Sequence, residues 1–195
     1  MTGSDPKEDL QRYLQATADA LLWKLDGLSE YDIRRPLTPT GTNLLGLVKH
    51  VGSVVLGYFG DCFGRPREEL AWDAPDAGVN ADMWAAPGES RELITGLYRR
   101  AWAFADKTIS ELPLDAIGHV PWWPPDSNEV TLHRIMVHVL QELARHAGHA
   151  DIVRELIDGT AGLREVSSSM PEQDEAWWTD YRDRLERAAS EAGQA

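Results

Sequence analysis

Apolar residues recur every three or four positions in four long stretches of the chain, and this spacing predicts four amphipathic helices. The first predicted helix runs from about Pro6 to Leu28. Asp5 is its predicted N-cap, and Pro6 occupies the first helical position, where a missing backbone N–H has no consequence. Its apolar stripe consists of Leu10, Leu14, Ala18, Leu21, Leu25 and Leu28. One face of this helix is therefore expected to be buried.

Three further helices follow at the same spacing, separated by segments rich in proline and glycine. They are predicted for residues 44 to about 63, 91–112 and 131 to about 158. Thr131 is the predicted cap of the last of them, and Gly159 is a suitable residue to end it. No stretch of useful length alternates between polar and apolar residues as a half-buried strand does. The pattern therefore predicts an all-α fold, a four-helix bundle with long loops.

Two segments lie outside the predicted bundle. Residues 64–90 form a long irregular stretch rich in Pro, Gly, Ala and Asp, and loops of this length are commonly functional or mobile. Residues 171 to about 190 are highly charged, and their apolar positions, Trp177, Trp178, Tyr181 and Leu185, predict a short peripheral helix that packs its aromatic side. We expect residues 1–195 to form one domain, with a core of about 5–160 and this helix as a C-terminal extension.

The composition changes this picture mainly through its charge. Thirty-two acidic residues face nineteen lysines and arginines, which gives a formal net charge of -13. Such a charge repels nucleic-acid phosphates and anionic membrane surfaces, so we expect neither as a partner. Residues 1–9 lack the apolar run of a signal peptide, and no window is long enough to cross a bilayer. A cytoplasmic location is therefore expected.

Cys62 is the only cysteine in the chain. A single cysteine excludes an internal disulfide and a cysteine-rich zinc or iron–sulfur site, and it fits a reducing compartment. Because Cys62 lies near the predicted end of the second helix, we interpret it as a packed thiol rather than a nucleophile.

Ionisable residues cluster on one face of the fourth predicted helix. With Glu142 at zero on a wheel of 100° per residue, His138, His146 and His149 fall within about 40° of it. Ile135 lies on the same side, which indicates that this face points into the bundle. Ionisable groups buried there cost several kcal/mol unless they are paired or bound to a metal. The face therefore requires a compensating partner.

His50 on the second predicted helix is the expected partner, because it shares an apolar stripe with Leu47 and Val54. The four-residue spacing of Glu142 and His146 lets a single helix grip one ion. We predict a divalent-metal site formed by His50, Glu142 and His146. Two imidazoles and a carboxylate suit zinc, nickel, iron(II) or manganese, and three protein ligands leave a position open for water or substrate. The reactive group is then a metal-bound water or thiol, and no catalytic side chain is assigned.

Simpler interpretations stay open at this stage. A histidine on an apolar face is commonly a hydrogen-bonded core residue, and a Glu-x-x-x-His pair is a weak motif alone. His138 and His149 are candidates either for outer partners of the ligands or for a fourth ligand, which would give a closed structural site. Trp122 and Trp123, just before the fourth helix, are interpreted as packing between helix ends, with the mouth of a pocket as the alternative.

Two stretches of the chain carry a resemblance to a known family. They read Leu44-Leu-Gly-Leu-Val-Lys-His50-Val and, about ninety residues on, His138-Val-Leu-Gln-Glu142-Leu-Ala-Arg-His146-Ala-Gly-His149-Ala-Asp151-Ile. In these segments the chain resembles the DinB/YfiT-like superfamily of metalloenzymes, the damage-inducible four-helix bundles. The resemblance extends from the first helix through Gly159.

The resemblance implies a metal site and a class of chemistry. Members commonly bind a divalent metal through a histidine on helix two, matched by His50, and a pair four residues apart on helix four. Where many relatives have histidine at the middle position this chain has Glu142, which resembles the mycothiol-dependent maleylpyruvate isomerase branch. Characterised relatives include transferases and isomerases that use a low-molecular-weight thiol such as mycothiol or bacillithiol. The resemblance also implies a homodimer.

These observations lead to one functional hypothesis and two alternatives. The leading hypothesis is a metal-dependent transferase, or an isomerase or hydrolase, that acts on a small molecule with a mycothiol-like thiol or metal-bound water. Zinc or nickel is the expected metal. The first alternative is a non-catalytic bundle that binds metal or a ligand in a stress response, and the second is a purely structural bundle.

Overall fold

The computed structural model describes residues 5–74, 76–164 and 168–193, and helices account for most of them. Its six α-helices are α1 (Pro6–Trp23), α2 (Glu30–Arg34), α3 (Leu44–Phe59), α4 (Arg91–Glu111), α5 (Leu132–Asp158) and α6 (Glu175–Ala192). Two short strands, β1 (Ile117–His119) and β2 (Glu129–Thr131), form an antiparallel pair between α4 and α5. Single 3₁₀ turns lie at Asp61–Phe63 and Ala71–Asp73.

Each of the four helices of the bundle, α1, α3, α4 and α5, begins at a side chain that caps its first turn. Asp5, Asn43, Ser90 and Thr131 each accept a hydrogen bond from a backbone N–H two or three residues later. These bonds satisfy donors that the helix itself leaves without a partner. At the other end of α5, Gly159 takes the left-handed conformation that closes a helix. The predicted start of α1 and both predicted ends of the fourth long helix are thus confirmed.

The apolar faces of the long helices meet in one buried cluster. Helix α3 packs against α4 and α5, and α5 packs against α1. Fully buried side chains from all four helices fill the space between them, among them Leu14, Leu21, Val48, Phe59, Ile94, Ile135 and Met136. Burial of this apolar surface is the main stabilising contribution to such a bundle. The predicted all-α four-helix architecture is therefore confirmed.

Four details differ from the sequence prediction. Helix α3 ends at Phe59 rather than near Phe63, and a 3₁₀ turn follows it at Asp61–Phe63. Helix α1 ends at Trp23 rather than near Leu28, because the chain turns there and Gly27 adopts a φ of +75°. The following residues form the five-residue helix α2, which apolar spacing is too short to reveal. The β1–β2 pair was also not predicted, because strands of three residues give no readable alternation.

The buried guanidinium of Arg154 fastens α5 to the end of α1. It donates hydrogen bonds to the backbone oxygens of Lys24 and Asp26 and forms an ion pair with Asp158 one turn away. The carbonyls at a helix C-terminus have no partner within the helix, so a cation with several donors is well suited to them. Arg154 thereby ties α5 to the turn that follows α1.

Helix α6 packs less closely than the sequence suggested. None of its described residues is buried, and the Trp177 and Tyr181 rings stack on each other with their centroids 5.2 Å apart. Trp178 does face the end of α5, where it lines a shallow cleft with Glu155 and Gly159. The helix is present as predicted, but its aromatic side is only partly covered. Within the described part of the chain, no helix has both the length and the apolar character that crossing a bilayer requires.

Candidate metal centre

The structure brings His50, Glu142 and His146 to one place. One nitrogen from each imidazole and one oxygen from the carboxylate lie within 4.8 Å of one another. His50 comes from α3, whereas the other two residues stand one turn apart on α5. The packing of α3 on α5 is therefore what closes this group, as the helical periodicity predicted.

The carboxylate of Glu142 stands between the two rings. Its Oε1 atom lies 3.0 Å from Nε2 of His146 and 3.6 Å from Nε2 of His50. The two imidazole rings meet edge to face with centroids 4.8 Å apart. This spacing leaves room for a cation between three lone pairs, and the same donor set suits zinc or nickel.

One buried nitrogen in this cluster has no hydrogen-bond partner among the described protein groups around it. Nδ1 of His146 is buried and has no hydrogen-bond partner in the parts of the chain that are described. Since Nε2 of the same ring has only Glu142 to bond with, no tautomer pairs both nitrogens with protein atoms. Unpaired buried polar atoms are uncommon in native structures. A cation held by the three residues would bind Nε2, the nitrogen that faces Glu142, and Nδ1 would then carry the ring proton. The residues present fit a metal ion through their donor set, two imidazoles and one carboxylate at one place.

Asp82 orients His50 from the opposite side. Its Oδ2 lies 2.6 Å from Nδ1 of His50, which leaves Nε2 of that ring directed toward Glu142. A carboxylate bonded to the far nitrogen of a ligating histidine fixes both its tautomer and its orientation. Sequence reasoning missed Asp82, because it lies in the irregular segment 64–90, where no periodicity marks a functional face. Only the unusual length of that loop indicated that it held something functional.

The protonation states follow from these contacts. Burial lowers the pKa of His146, and the charge of His50 lowers it further, despite the opposing effect of Glu142. Burial raises the pKa of Glu142, but the two histidines outweigh burial and the net shift is downward. For His50, burial acts to lower the pKa, and hydrogen bonds to Asp82 and Glu142 reverse this into a net rise. Neutral His146 and ionised Glu142 are the forms that a metal ligand requires, whereas protons compete for His50.

A cleft of about 540 Å³ opens beside His50 and Glu142. Its wall includes His138, whose Nε2 lies 2.9 Å from the hydroxyl of Tyr58. His149 is exposed, and its ring meets that of His146 edge to face at 5.4 Å. Within the described residues neither of these histidines shows a hydrogen bond to the three converging residues. The structure thus places His138 in the cleft and His149 at the surface.

Trp122 lies at the mouth of this cleft rather than between helix ends. Its side chain is 51% exposed, and its Nε1 donates to the Tyr58 hydroxyl over 3.4 Å. A Cβ atom at Gly57 would stand 3.1 Å from the indole ring, so a glycine in α3 is what admits Trp122 at this distance. Of the two interpretations of Trp122, the structure supports the pocket mouth. Trp123 is half-buried and packs against the bundle core.

Cys62 is a buried thiol in the 3₁₀ turn after α3. Burial, and then the charge of Asp61, raise its pKa to about 12, so the thiol stays protonated at neutral pH. Because the thiolate is the nucleophile, we expect iodoacetamide at pH 8 to label native Cys62 on the order of 100-fold more slowly than the urea-unfolded chain. Mass spectrometry of timed samples measures both rates. Equal rates would contradict the interpretation of Cys62 as a packed, inert thiol.

The family model of the mycothiol-S-transferases matches residues 9–159 of this chain. The chain belongs to the mycothiol-S-transferase family. The matched segment contains His50, Asp82, Glu142 and His146, and it ends where α5 ends. The resemblance to DinB/YfiT-like proteins that the two sequence stretches indicated is thereby confirmed.

A solved structure supports the fold of this mycothiol-S-transferase family member independently. A crystal structure of a conserved protein from Enterococcus faecalis superposes with a TM-score of 0.58 over 81% of this chain and 100% of that chain. The two sequences are 14% identical, so this similarity concerns the fold alone. No curated protein matches the chain.

Proposed function

We propose that the chain is a metal-dependent S-transferase that joins a mycothiol-like thiol to a small electrophile. The observation that carries the proposal is the convergence of His50, Glu142 and His146 beside an open cleft. Membership of the mycothiol-S-transferase family supports a low-molecular-weight thiol as the cosubstrate. Zinc or nickel is the proposed ion, because two imidazoles and a carboxylate suit both.

The chain's own residues hold and orient the reacting groups. His50, Glu142 and His146 would bind the ion, and Asp82 holds His50 in the ligating tautomer. A bound divalent ion deprotonates a coordinating thiol and so supplies a thiolate at neutral pH. On the cleft wall, the hydroxyl of Tyr58 and the ring of His138 form a hydrogen-bonded pair that can give or accept a proton.

The charge of the cleft favours transfer to an uncharged electrophile. Among the described residues that line it, Arg67 is the one permanent cation, and its guanidinium is held by both oxygens of Asp61 and lies 3.2 Å from Asp73. An arginine bound by two carboxylates offers little to an anionic substrate. A dicarboxylate, such as the substrate of a maleylpyruvate isomerase, would meet two carboxylates, those of Asp61 and Asp73, around this single arginine. We therefore infer that the acceptor of the thiol is neutral or cationic. Isomerisation of a dicarboxylic acid is the less favoured of the two reactions.

Metal content and thiol conjugation test this proposal together. Protein freed of metal with a chelator and titrated with Zn²⁺ or Ni²⁺ in a calorimeter should take up about one ion per chain. The loaded protein should then accelerate conjugation of mycothiol to the neutral probe monobromobimane, in which sulfur replaces bromide at carbon. The conjugate is quantified by chromatography, with the metal-free protein as the control.

The outcomes separate the proposed function from its alternatives. If the chain takes up neither ion, the metal-dependent proposal is wrong and a structural bundle remains. Metal uptake without conjugation of any thiol, with neutral or anionic acceptors alike, favours the non-catalytic metal-binding bundle. Acceleration by water attack on an ester in the absence of thiol would favour a hydrolase.

A further inference from the structure

Lys49, the residue before His50 in α3, is a buried lysine with an unusually full set of partners. Only 2% of its surface is exposed. Its ammonium donates to the backbone oxygens of Ala81 (2.7 Å) and Trp84 (2.9 Å) and to the carboxylate of Glu89 (2.8 and 3.0 Å). The same Nζ atom lies 4.1 Å above the ring of Trp72. A buried ammonium is stable only where hydrogen bonds and an opposite charge offset the cost of removing it from water. The contacts of Lys49 meet this condition.

All of these acceptors except Trp72 belong to one stretch of loop, residues 81–89, which we name the strap. The two carbonyls that Lys49 binds lie on either side of Asp82 in the sequence. Glu89, at the end of the strap, also accepts from the backbone N–H of Ala86, which closes the strap on itself. Lys49 therefore fixes the backbone on both flanks of the residue that bonds to His50.

The N-cap of α3 and one position in its first turn also contact the strap. The side-chain amide of Asn43 donates to the carbonyl of Met83 over 3.2 Å. At Gly46 a Cβ atom would stand 1.9 Å from that carbonyl oxygen, so the strap backbone lies directly on the helix there. Asn43, Gly46 and Lys49 are spaced by three residues and share one side of α3. The strap is thus seated along the first two turns of the helix.

We propose that Lys49 is a positioning residue of the metal centre, which acts by holding Asp82 against His50. The inference rests on the metal site proposed above. An unanchored loop samples many conformations, so the Asp82 carboxylate would lie against Nδ1 of His50 in a smaller share of them. Loss of such an outer partner typically lowers metal affinity 10- to 100-fold. Lys49 therefore contributes to metal affinity although it is not itself a ligand.

Lys24 provides a matched control for this residue. It is equally buried, at 1% exposure, and its ammonium binds the Gly162 carbonyl, lies 2.8 Å from the carboxylate of Asp151 and stands 4.1 Å from the Trp23 ring. Its environment thus reproduces that of Lys49 in kind. In the described parts of the chain, none of these partners shares a hydrogen bond or ion pair with the strap or with the three converging residues. A variant at Lys24 therefore measures what losing a buried ammonium does to the bundle in general.

The test compares Zn²⁺ affinity in K49M, K24M, D82N and the double variant K49M/D82N. Affinity is measured by competition with a chromophoric chelator, and thermal unfolding of each metal-free variant is recorded beside it. K49M is expected to lower the affinity about 10- to 100-fold, while K24M keeps the wild-type affinity at a similar loss of thermal stability. The double variant should bind no more weakly than D82N alone, because Lys49 acts through Asp82.

Specific results overturn the inference. Wild-type affinity in K49M, an equal loss in K24M, or losses that multiply in the double variant each contradict it. If K49M fails to fold, E89Q replaces it, since it weakens the same anchor with little change in shape. E89Q is then expected to lower the affinity, and wild-type affinity in it overturns the inference. Should the wild-type chain itself bind no Zn²⁺, the proposed function fails instead.

Discussion

Replacement of His146 by alanine is expected to abolish stoichiometric metal binding. His146 is one of three converging residues, and its Nε2 lies 3.0 Å from the carboxylate of Glu142. Loss of a direct ligand should lower affinity by more than the roughly 10- to 100-fold that outer partners contribute. An ion present at 1,000 times its dissociation constant stabilises a fold by about 4 kcal/mol. That corresponds to about 8–16 °C in Tm for a chain of this size.

Thermal scans with and without Zn²⁺ or Ni²⁺ measure this effect. The wild-type Tm should rise by that amount on metal addition, and the Tm of H146A should not move. H149A is the matched control, because His149 is exposed on the same face of α5 and touches the site only through the edge of its ring. A metal-induced shift in H146A as large as in the wild type would show that the ion binds elsewhere. Loss of the shift in H149A would point to a fourth protein ligand.

Replacement of Gly46 by alanine is expected to destabilise the protein by about 2–3 kcal/mol, near the upper end of what overpacking of a core commonly costs. The new methyl group would lie 1.9 Å from the carbonyl oxygen of Met83, a backbone atom that cannot move without lifting the strap. The intrinsic preference of helices for alanine offsets up to about 1 kcal/mol of a larger steric cost. Urea unfolding followed by circular dichroism measures the net change.

Gly148 supplies the control for that substitution. It is an exposed glycine inside α5, and a Cβ atom there meets nothing within 4 Å. G148A should therefore stabilise the chain by up to about 1 kcal/mol, since only helix propensity changes. If G46A proves as stable as G148A, the close seating of the strap on α3 is wrong. If G46A lowers the stability and G148A raises it, the contacts at each position, rather than the glycine-to-alanine change itself, determine the change in stability.

The residues of the site that lie on helices could be predicted from the sequence, because a helix repeats the same face every three or four residues. Once apolar spacing defines the buried side of α3 and α5, His50, Glu142 and His146 necessarily point toward the same interior. Their joint placement required only that these two helices pack together. The end of α1 was harder to predict, because the turn after it, at Lys24 and Asp26, is bound by Arg154 from a distant part of the chain.

The remaining part of the site lies in segments without periodicity. Asp82 reaches His50 because Lys49 and Gly46 seat an irregular loop, and no local pattern encodes those contacts. Trp122 faces the cleft because Gly57 leaves space for its ring. Both arrangements depend on tertiary packing, which single-sequence spacing does not capture. A single domain and a homodimer stay predictions.

The wide separation of the proposed ligands along the chain would determine when metal could bind during biosynthesis. A nascent polypeptide emerging from the ribosome presents His50 and Asp82 long before it presents Glu142 and His146. The apolar core draws on the four helices of the bundle, so we expect the chain to fold without an ion, unlike a zinc finger that is unfolded until it is loaded. Metal insertion at the proposed centre would then complete maturation rather than start it. The metal-free chain would be a folded acceptor of the ion.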